Sequence, residues 1–237
     1  MTRAEIAGVS GAAASAAAFM AWAVRGKSSS VFGPSVHRGP TNRRAIALTF
    51  DDGPSEGTPR VLELLARHRV PATFFQIGAN VERLPEVARA VRAAGHEIGN
   101  HSHTHPLCCF RSPEFILQEF ARAQQAIAGV TGFSPALLRA PFGVRWFGFR
   151  QAQHRLNLRA VMWTIIGYDW RRKADIIVGR ILPAVVNGAI LCLHDGRELR
   201  PDPDMGETVA AVGRLIPRLR DRGYEFETVS RLLCPMI

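Results

Sequence analysis

The chain has 237 residues, 47% hydrophobic and 21% charged, enough apolar material for one domain with a sizeable core, which excludes a disordered or low-complexity protein. Thirty Lys and Arg against 20 Asp and Glu give a net charge of +10, which favours anionic partners such as acidic lipids or cell-wall polymers. The basic residues are scattered, with no stripe of interleaved aromatics, so nucleic-acid binding is not expected, and four cysteines without a CxxC pair argue against a thiolate zinc site.

From Ile6 to Val24 the chain carries no charge and is rich in Ala, with Phe19, Met20 and Trp22 near its end. As a helix this stretch would rise about 28 Å, close to the thickness of a bilayer core. Three readings stand open for residues 1–25: a membrane anchor, a cleaved signal peptide, or a soluble Ala-rich helix. The first two lead to a membrane-anchored or cell-envelope protein. The side of the membrane stays open, because Arg25, Lys27, Arg38, Arg43 and Arg44 all follow the segment, and the positive-inside rule then puts the rest of the chain in the cytoplasm.

Residues 26–42 contain Gly, Ser, Pro and Asn and read as a linker. A regular pattern then begins. Ala45 to Phe50 is an apolar strand, and Thr58 can cap a helix with Pro59 at its first position, running to His68. A strand at Ala72–Ile77 precedes a helix at Pro85–Ala94 with Gly95 as its stop. Glu97 to Gly99 is a strand, and Ser112-Pro113 opens a helix to about Ala128. Next come a short strand at Ala136–Arg139, a helix at Phe149–Leu156, a strand at Ala160–Ile165 and a helix at Ala174–Val186. A strand at Ala189–Leu193, a helix at Gly206–Arg222 and a strand at Glu225–Val229 complete the chain. Strands alternating with helices predict a parallel α/β sheet, so that residues 43–233 form one domain.

The polar residues that need explaining fall at strand ends, where α/β folds place their chemistry. Asp51 and Asp52 follow an apolar strand, and Gly53-Pro54 supplies a break that lets both carboxylates aim into one cavity. His101 and His105 are spaced i, i+4; a helical turn there would put both on one face and leave His103 pointing elsewhere. Two imidazoles and a carboxylate can hold a divalent ion with positions left for water and substrate, and either Asp51 or Asp52 can be the third ligand. Arg139 precedes Ala140-Pro-Phe-Gly143, where an irregular backbone can present free N–H groups. Asp169-Trp170 can orient a histidine and wall a sugar pocket. His194 ends the apolar run Leu191-Cys-Leu193, in which Cys192 reads as a small buried hydrophobe.

In this order, the TFDDG, HSxxH, RxPFG, DW and LxLHD elements resemble the polysaccharide deacetylase family, the NodB-homology carbohydrate esterases of family four. Val70-Pro-Ala-Thr-Phe-Phe75 and Gly95-His-Glu-Ile-Gly-Asn-His101 agree with it. The resemblance implies a distorted (β/α) barrel of about seven units, here preceded by a hydrophobic N-terminal helix. It implies that Asp52, His101 and His105 hold a divalent metal, zinc foremost, with cobalt, nickel or manganese as alternatives. It makes Asp51 the general base fixed by Arg139, and His194 the general acid tuned by Asp169. Trp170 and Leu193 would shape the acyl pocket, and the backbone N–H of Phe142 would help bind the oxyanion.

The implied activity is removal of acetyl groups from an N-acetylated sugar in a peptidoglycan-like or chitin-like glycan, by a protein expected to be a monomer. The alternatives are deformylation or deacetylation of a lipid-linked sugar and, in another class, a non-catalytic carbohydrate-binding homologue, which intact Asp51 and His194 disfavour. Ile166 stands where the family often carries an Asp, three residues before Asp169, and Ala140 where Pro is common.

Overall fold

The computed structural model describes residues 3–234, with side-chain surroundings from residue 13 onward. The first two residues of the expected N-terminal segment lie outside the described part. Helix α1 (Arg3–Arg25) and strand β1 (Ser35–Val36) come first, followed by β2 (Ala45–Asp51), α2 (Thr58–His68) and β3 (Thr73–Gln76). Helices α3 (Gly78–Arg83) and α4 (Pro85–Ala93) lead to β4 (Glu97–Asn100), α5 (Pro113–Thr131) and β5 (Leu137–Leu138). Then come α6 (Phe149–Leu156), β6 (Arg159–Val161), β7 (Ile165–Ile166), α7 (Ala174–Ile181) and β8 (Ile190–His194). Helix α8 (Gly206–Asp221), β9 (Glu225–Glu227) and α9 (Val229–Leu233) close the chain.

The nine described strands form one curled parallel sheet in the order β1-β6-β5-β4-β3-β2-β8-β7, and β9 pairs with the start of β2. All the strands point the same way, so their C-terminal ends form one rim. Side-chain alternation divides the strands between two cores. Ile46, Leu48 and Phe50 of β2 pack outward with Phe74, Leu191 and Leu193 beneath α2, α7 and α8. Ala45 and Ala47 face inward with Phe75, Val161 and Ile190, and Val229 and Leu232 of α9 join that cluster. The inward series of β2 continues through Thr49 to Asp51, which aims Asp51 into the sheet's concave face at the rim.

Three features depart from the sequence pattern. The single strand expected at Ala160–Ile165 is broken into β6 and β7. The Met162 N–H bonds to Val36 O of β1 at 2.7 Å, and the Thr164 N–H bonds to Ile190 O of β8 at 2.8 Å. Residues 162–164 thus cross the gap between the two edges of the sheet. Residues 26–42 carry β1, which pairs with β6, and the fully buried Arg145 donates to the Ser29 carbonyl at 2.6 Å and to Ser35 Oγ at 2.8 Å. Helix α1 is exposed from residue 13 to 22 and buried at Ala23 and Val24, which join the core cluster that holds Ile116 and Phe120 of α5 and Phe149 of α6. Among the described residues no helix is long and apolar enough to cross a membrane.

Candidate metal centre and active site

The rim of β2, β4 and β8 carries the polar cluster. Asp52 follows β2 in the left-handed region (φ 72°), which turns its carboxylate toward the loop after β4. Its Oδ1 lies 3.4 Å from His101 Nε2 and 3.2 Å from His105 Nε2. Its Oδ2 accepts from the Glu198 N–H at 3.1 Å. The two histidines do not share a helical face, as the i, i+4 spacing suggested. The segment is an irregular loop in which Ser102 (φ 65°) and His105 (φ 56°) are both left-handed, and the two reversals bring the rings to 5.0 Å. Asn100 and Glu119 hold that loop. Asn100 Oδ1 accepts from the Ser102 N–H at 2.9 Å, and the buried carboxylate of Glu119 accepts from the Thr104 N–H at 2.8 Å and the His103 N–H at 3.2 Å.

These atoms suit a cation. His101 Nδ1 donates to the carbonyl of Arg139 at 2.8 Å. A carbonyl only accepts, so the proton sits on Nδ1 and the lone pair on Nε2 faces Asp52. Asp52 Oδ1 is buried yet makes no hydrogen bond, a costly state for a carboxylate oxygen without a positive partner. One ligand atom from each of Asp52, His101 and His105 lies within 4.8 Å of the others.

Asp51 sits beside this set, 3% exposed. Its Oδ1 accepts from Arg139 at 2.6 Å, and its Oδ2 accepts from the Cys192 thiol at 3.4 Å. Arg139 is fully buried and sandwiched against Phe75, 4.1 Å from the ring centre. It also donates to Thr49 Oγ1 at 2.8 Å, the Val161 carbonyl at 3.1 Å and the Met162 carbonyl at 3.2 Å. Cys192 is therefore more than a small apolar filler. Its thiol points at Asp51, and burial followed by the Asp51 charge raises it well above the ordinary thiol value.

Opposite Asp51 stands His194. Its Nδ1 donates to Asp169 Oδ1 at 2.9 Å, and its backbone N–H donates to Asp169 Oδ2 at 2.9 Å. Thr208 of α8 donates to the same Oδ2 at 2.8 Å. Burial alone would lower the imidazole; the charge and hydrogen bond of Asp169, with Asp52 and Asp51 behind, raise it to about 9. Burial would likewise raise Asp169, and the His194 charge overrides it and lowers the carboxyl. The Trp170 ring stands edge-on to His194 with centroids 4.8 Å apart.

A cavity of about 450 Å³ joins the two halves. Asp51, Asp52, His101, His105 and His194 line it, with Phe142 and Trp170 on its walls, 42% and 41% exposed. Arg139 and Asp169 lie beneath the lining. Leu193, expected on the acyl pocket, is fully buried in the outer core, because alternation along β8 turns its neighbours Cys192 and His194 to the cavity. Trp163, Ile166 and Tyr168 occupy the apolar wall instead. Phe142 takes a left-handed φ of 56° within a 3-10 turn at Pro141–Gly143.

Sequence reasoning missed Glu119, Asn100, Thr208, Asp195 and the basic mouth of the cavity. Glu119 left a signal, a carboxylate on the otherwise apolar buried face of α5, among Ile116, Phe120, Ala123 and Ile127. Thr58, expected as a helix cap, instead donates to Asp195 Oδ2 at 2.6 Å. Asp195 is completely buried behind Asp52; burial above all raises its carboxyl to about 7.

A family model described as polysaccharide deacetylase matches residues 38–161. The peptidoglycan-N-acetylglucosamine deacetylase PgdA of Listeria monocytogenes is 35% identical over 206 residues, 86% of this chain and 42% of PgdA, so the chain spans less than half the length of that relative. A chitooligosaccharide deacetylase of Bradyrhizobium sp. (strain ANU 289) is 39% identical over 198 residues, covering 80% of this chain and 90% of its own. The crystal structure of the Bc1960 peptidoglycan N-acetylglucosamine deacetylase superposes with a TM-score of 0.78 at 30% identity, over 83% of this chain and 91% of that one.

Proposed function

The chain belongs to the polysaccharide deacetylase family, and from that premise we propose that it is a metal-dependent amide hydrolase that removes acetyl groups from N-acetylated sugars of a peptidoglycan-like or chitin-like glycan. One observation carries this reading: a buried Asp–His–His ligand set, a separately held carboxylate and a histidine–aspartate pair all face one cavity.

Asp52, His101 and His105 would hold the ion, and two imidazoles with one carboxylate suit zinc first, with cobalt, nickel or manganese accepted by the same donors. When bound, the ion supplies Lewis acidity that polarises the acyl carbonyl and makes water a better nucleophile. Asp51 takes the proton from the attacking water. Arg139 binds only one of its oxygens, so the other stays available to the water, and the charge-assisted hydrogen bond fixes the carboxylate's orientation. His194, protonated at neutral pH, gives its Nε2 proton to the departing amine, which is a poor leaving group without it. The Phe142 N–H would receive the oxyanion, and Trp170 with the Trp163 and Tyr168 wall accepts the apolar faces of sugar and acyl methyl.

Intact base and acid argue against a binding-only homologue. The exposed Phe19, Met20 and Trp22 of α1 support a contact of residues 6–24 with a bilayer surface, and with it a cell-envelope setting. The test is acid release from N-acetylglucosamine oligomers. Acetate should appear, vanish with a chelator and return with Zn²⁺ or Co²⁺. Undiminished release in chelator would sink the metal mechanism, and formate in place of acetate from a mixed panel would move the enzyme to the lipid-linked-sugar alternative.

A further inference from the structure

The mouth of the cavity is basic for a reason that folding does not supply. Arg25, at the end of α1, lines the catalytic cavity together with Arg197 and Arg200 of the loop after β8. A second hollow shares Arg25, Phe142 and Trp163 with the first and adds Lys27 and Arg180. The two together form one groove crossing the site, with Trp163, Tyr168 and Trp170 as an aromatic floor.

None of these five cations has a carboxylate partner among the described residues. Lys27 donates to the Thr164 carbonyl at 2.6 Å, Arg180 to the Ile166 carbonyl at 2.8 Å, and Arg197 to the carbonyls of Gly196 at 2.9 Å and Asp169 at 3.3 Å. Elsewhere the chain pairs its cations readily, as in Arg43 with Glu227, Arg214 with Asp175 and Lys173 with Glu207. Glu198 is the single carboxylate on the groove wall outside the metal and base positions. Arg25 is not needed to cap its own helix either. The Trp22 carbonyl accepts from the Gly26 N–H, the Ala23 carbonyl from Ser29 Oγ, and the Val24 carbonyl from the Arg145 N–H. Its charge is thus left free at the mouth, on a segment that Arg145 anchors to the domain.

We propose that the substrate glycan is itself anionic, with a carboxylate or phosphate on a sugar next to the one being deacetylated, and that Arg25, Lys27, Arg180, Arg197 and Arg200 select it. The inference rests on the deacetylase reading and names its substrate class. A flat sugar face lies on the aromatic floor, and the anionic substituent meets guanidinium groups at the edge. Exposed charge contacts are individually weak and screened by salt, so several together set specificity at low ionic strength.

The test compares three oligomers of equal length: neutral N-acetylglucosamine tetramer, a carboxylate-bearing analogue and a phosphate-bearing analogue. For at least one charged oligomer, kcat/KM should exceed the neutral value by about tenfold at low salt, mostly through KM, with the gain fading as salt is raised. In Arg25→Gln/Arg200→Gln the charged-to-neutral ratio should fall several-fold. Which analogue gains distinguishes carboxylate from phosphate. Equal kcat/KM for charged and neutral oligomers, or a ratio unmoved in the double variant, would overturn the proposal. Equilibrium binding of the same oligomers, read by tryptophan fluorescence, separates the two readings. Salt-sensitive preference for charged oligomers without acetate release would sink the deacetylase reading and keep the anionic ligand, whereas acetate release with no binding preference would do the reverse.

Discussion

The Arg139 guanidinium reaches four acceptors, two on β2, one on β6 and one on the residue after β6, and only one of them is Asp51. The others fix the guanidinium so firmly that Asp51 has a single orientation. Asp51→Asn keeps that geometry and the metal ligands but cannot take a proton. We expect a loss of turnover of about 10²- to 10⁴-fold with metal content unchanged by elemental analysis; substantial activity would remove Asp51 as the base. His194 offers a pH test. Its folded value, about 9, lies above the ordinary 6.5. The Asp169–His194 pair therefore contributes stability that is fully present below pH 6.5 and lost as pH rises through about 9. Asp169→Asn removes the charge that raises the imidazole, so the alkaline limb of the activity profile should move to lower pH. An unmoved limb would assign it to another group.

At the scale of elements, the decisive piece is the loop between β4 and α5. No regular secondary structure positions His101 and His105. Two left-handed residues do so, held from Asn100 on one side and from Glu119 of α5 on the other. Glu119→Ala leaves the Thr104 and His103 N–H groups without their acceptor while touching no ligand. Metal affinity, measured by competition with a chelating dye, should fall about 10- to 100-fold, the effect typical of residues that orient ligands. The strand–helix alternation, by contrast, was legible from hydrophobic period alone. It placed α6 at its observed bounds and α2 within one residue, with Pro59 marking the start of α2. It failed at β6 and β7, where apolarity continues through residues 162–164 while the partner strand changes, and at β1, whose two residues are too few to show a period.

For the whole molecule, the N-terminal segment is tied to the domain by β1 pairing, by Gln153 and Arg150 bonding to the carbonyls of Pro34 and Ser30, and by the buried side chain of Arg145. Arg145→Ala strips partners from the carbonyl of Ser29 and the hydroxyl of Ser35 and should cost about 3 kcal/mol. Limited proteolysis should then cleave within residues 26–36 well before the rest of the domain; unchanged protection there would mean that β1 pairing with the Gln153 and Arg150 bonds is enough to hold the segment. Metal binding should in turn stabilise the fold by about 2.7 kcal/mol at a free concentration 100 times Kd. A thermal melt with and without Zn²⁺ checks this, and an unshifted Tm would exclude a preformed site.

What the sequence by itself determined is the set of chemical groups and their positions at strand ends, because strand alternation and turn residues are local properties. Asp51 and Asp52, the histidine pair and His194 could all be named from spacing and composition. Their division of labour could not. Whether Asp51 or Asp52 faces the imidazoles depends on a single left-handed φ. Leu193 went to the core and Cys192 to the cavity because β8 pairs in one register with β2. The Arg145 anchor and the basic groove join residues more than 100 positions apart. Only the closed packing of the curled sheet brings such groups together, and no local pattern encodes that distance.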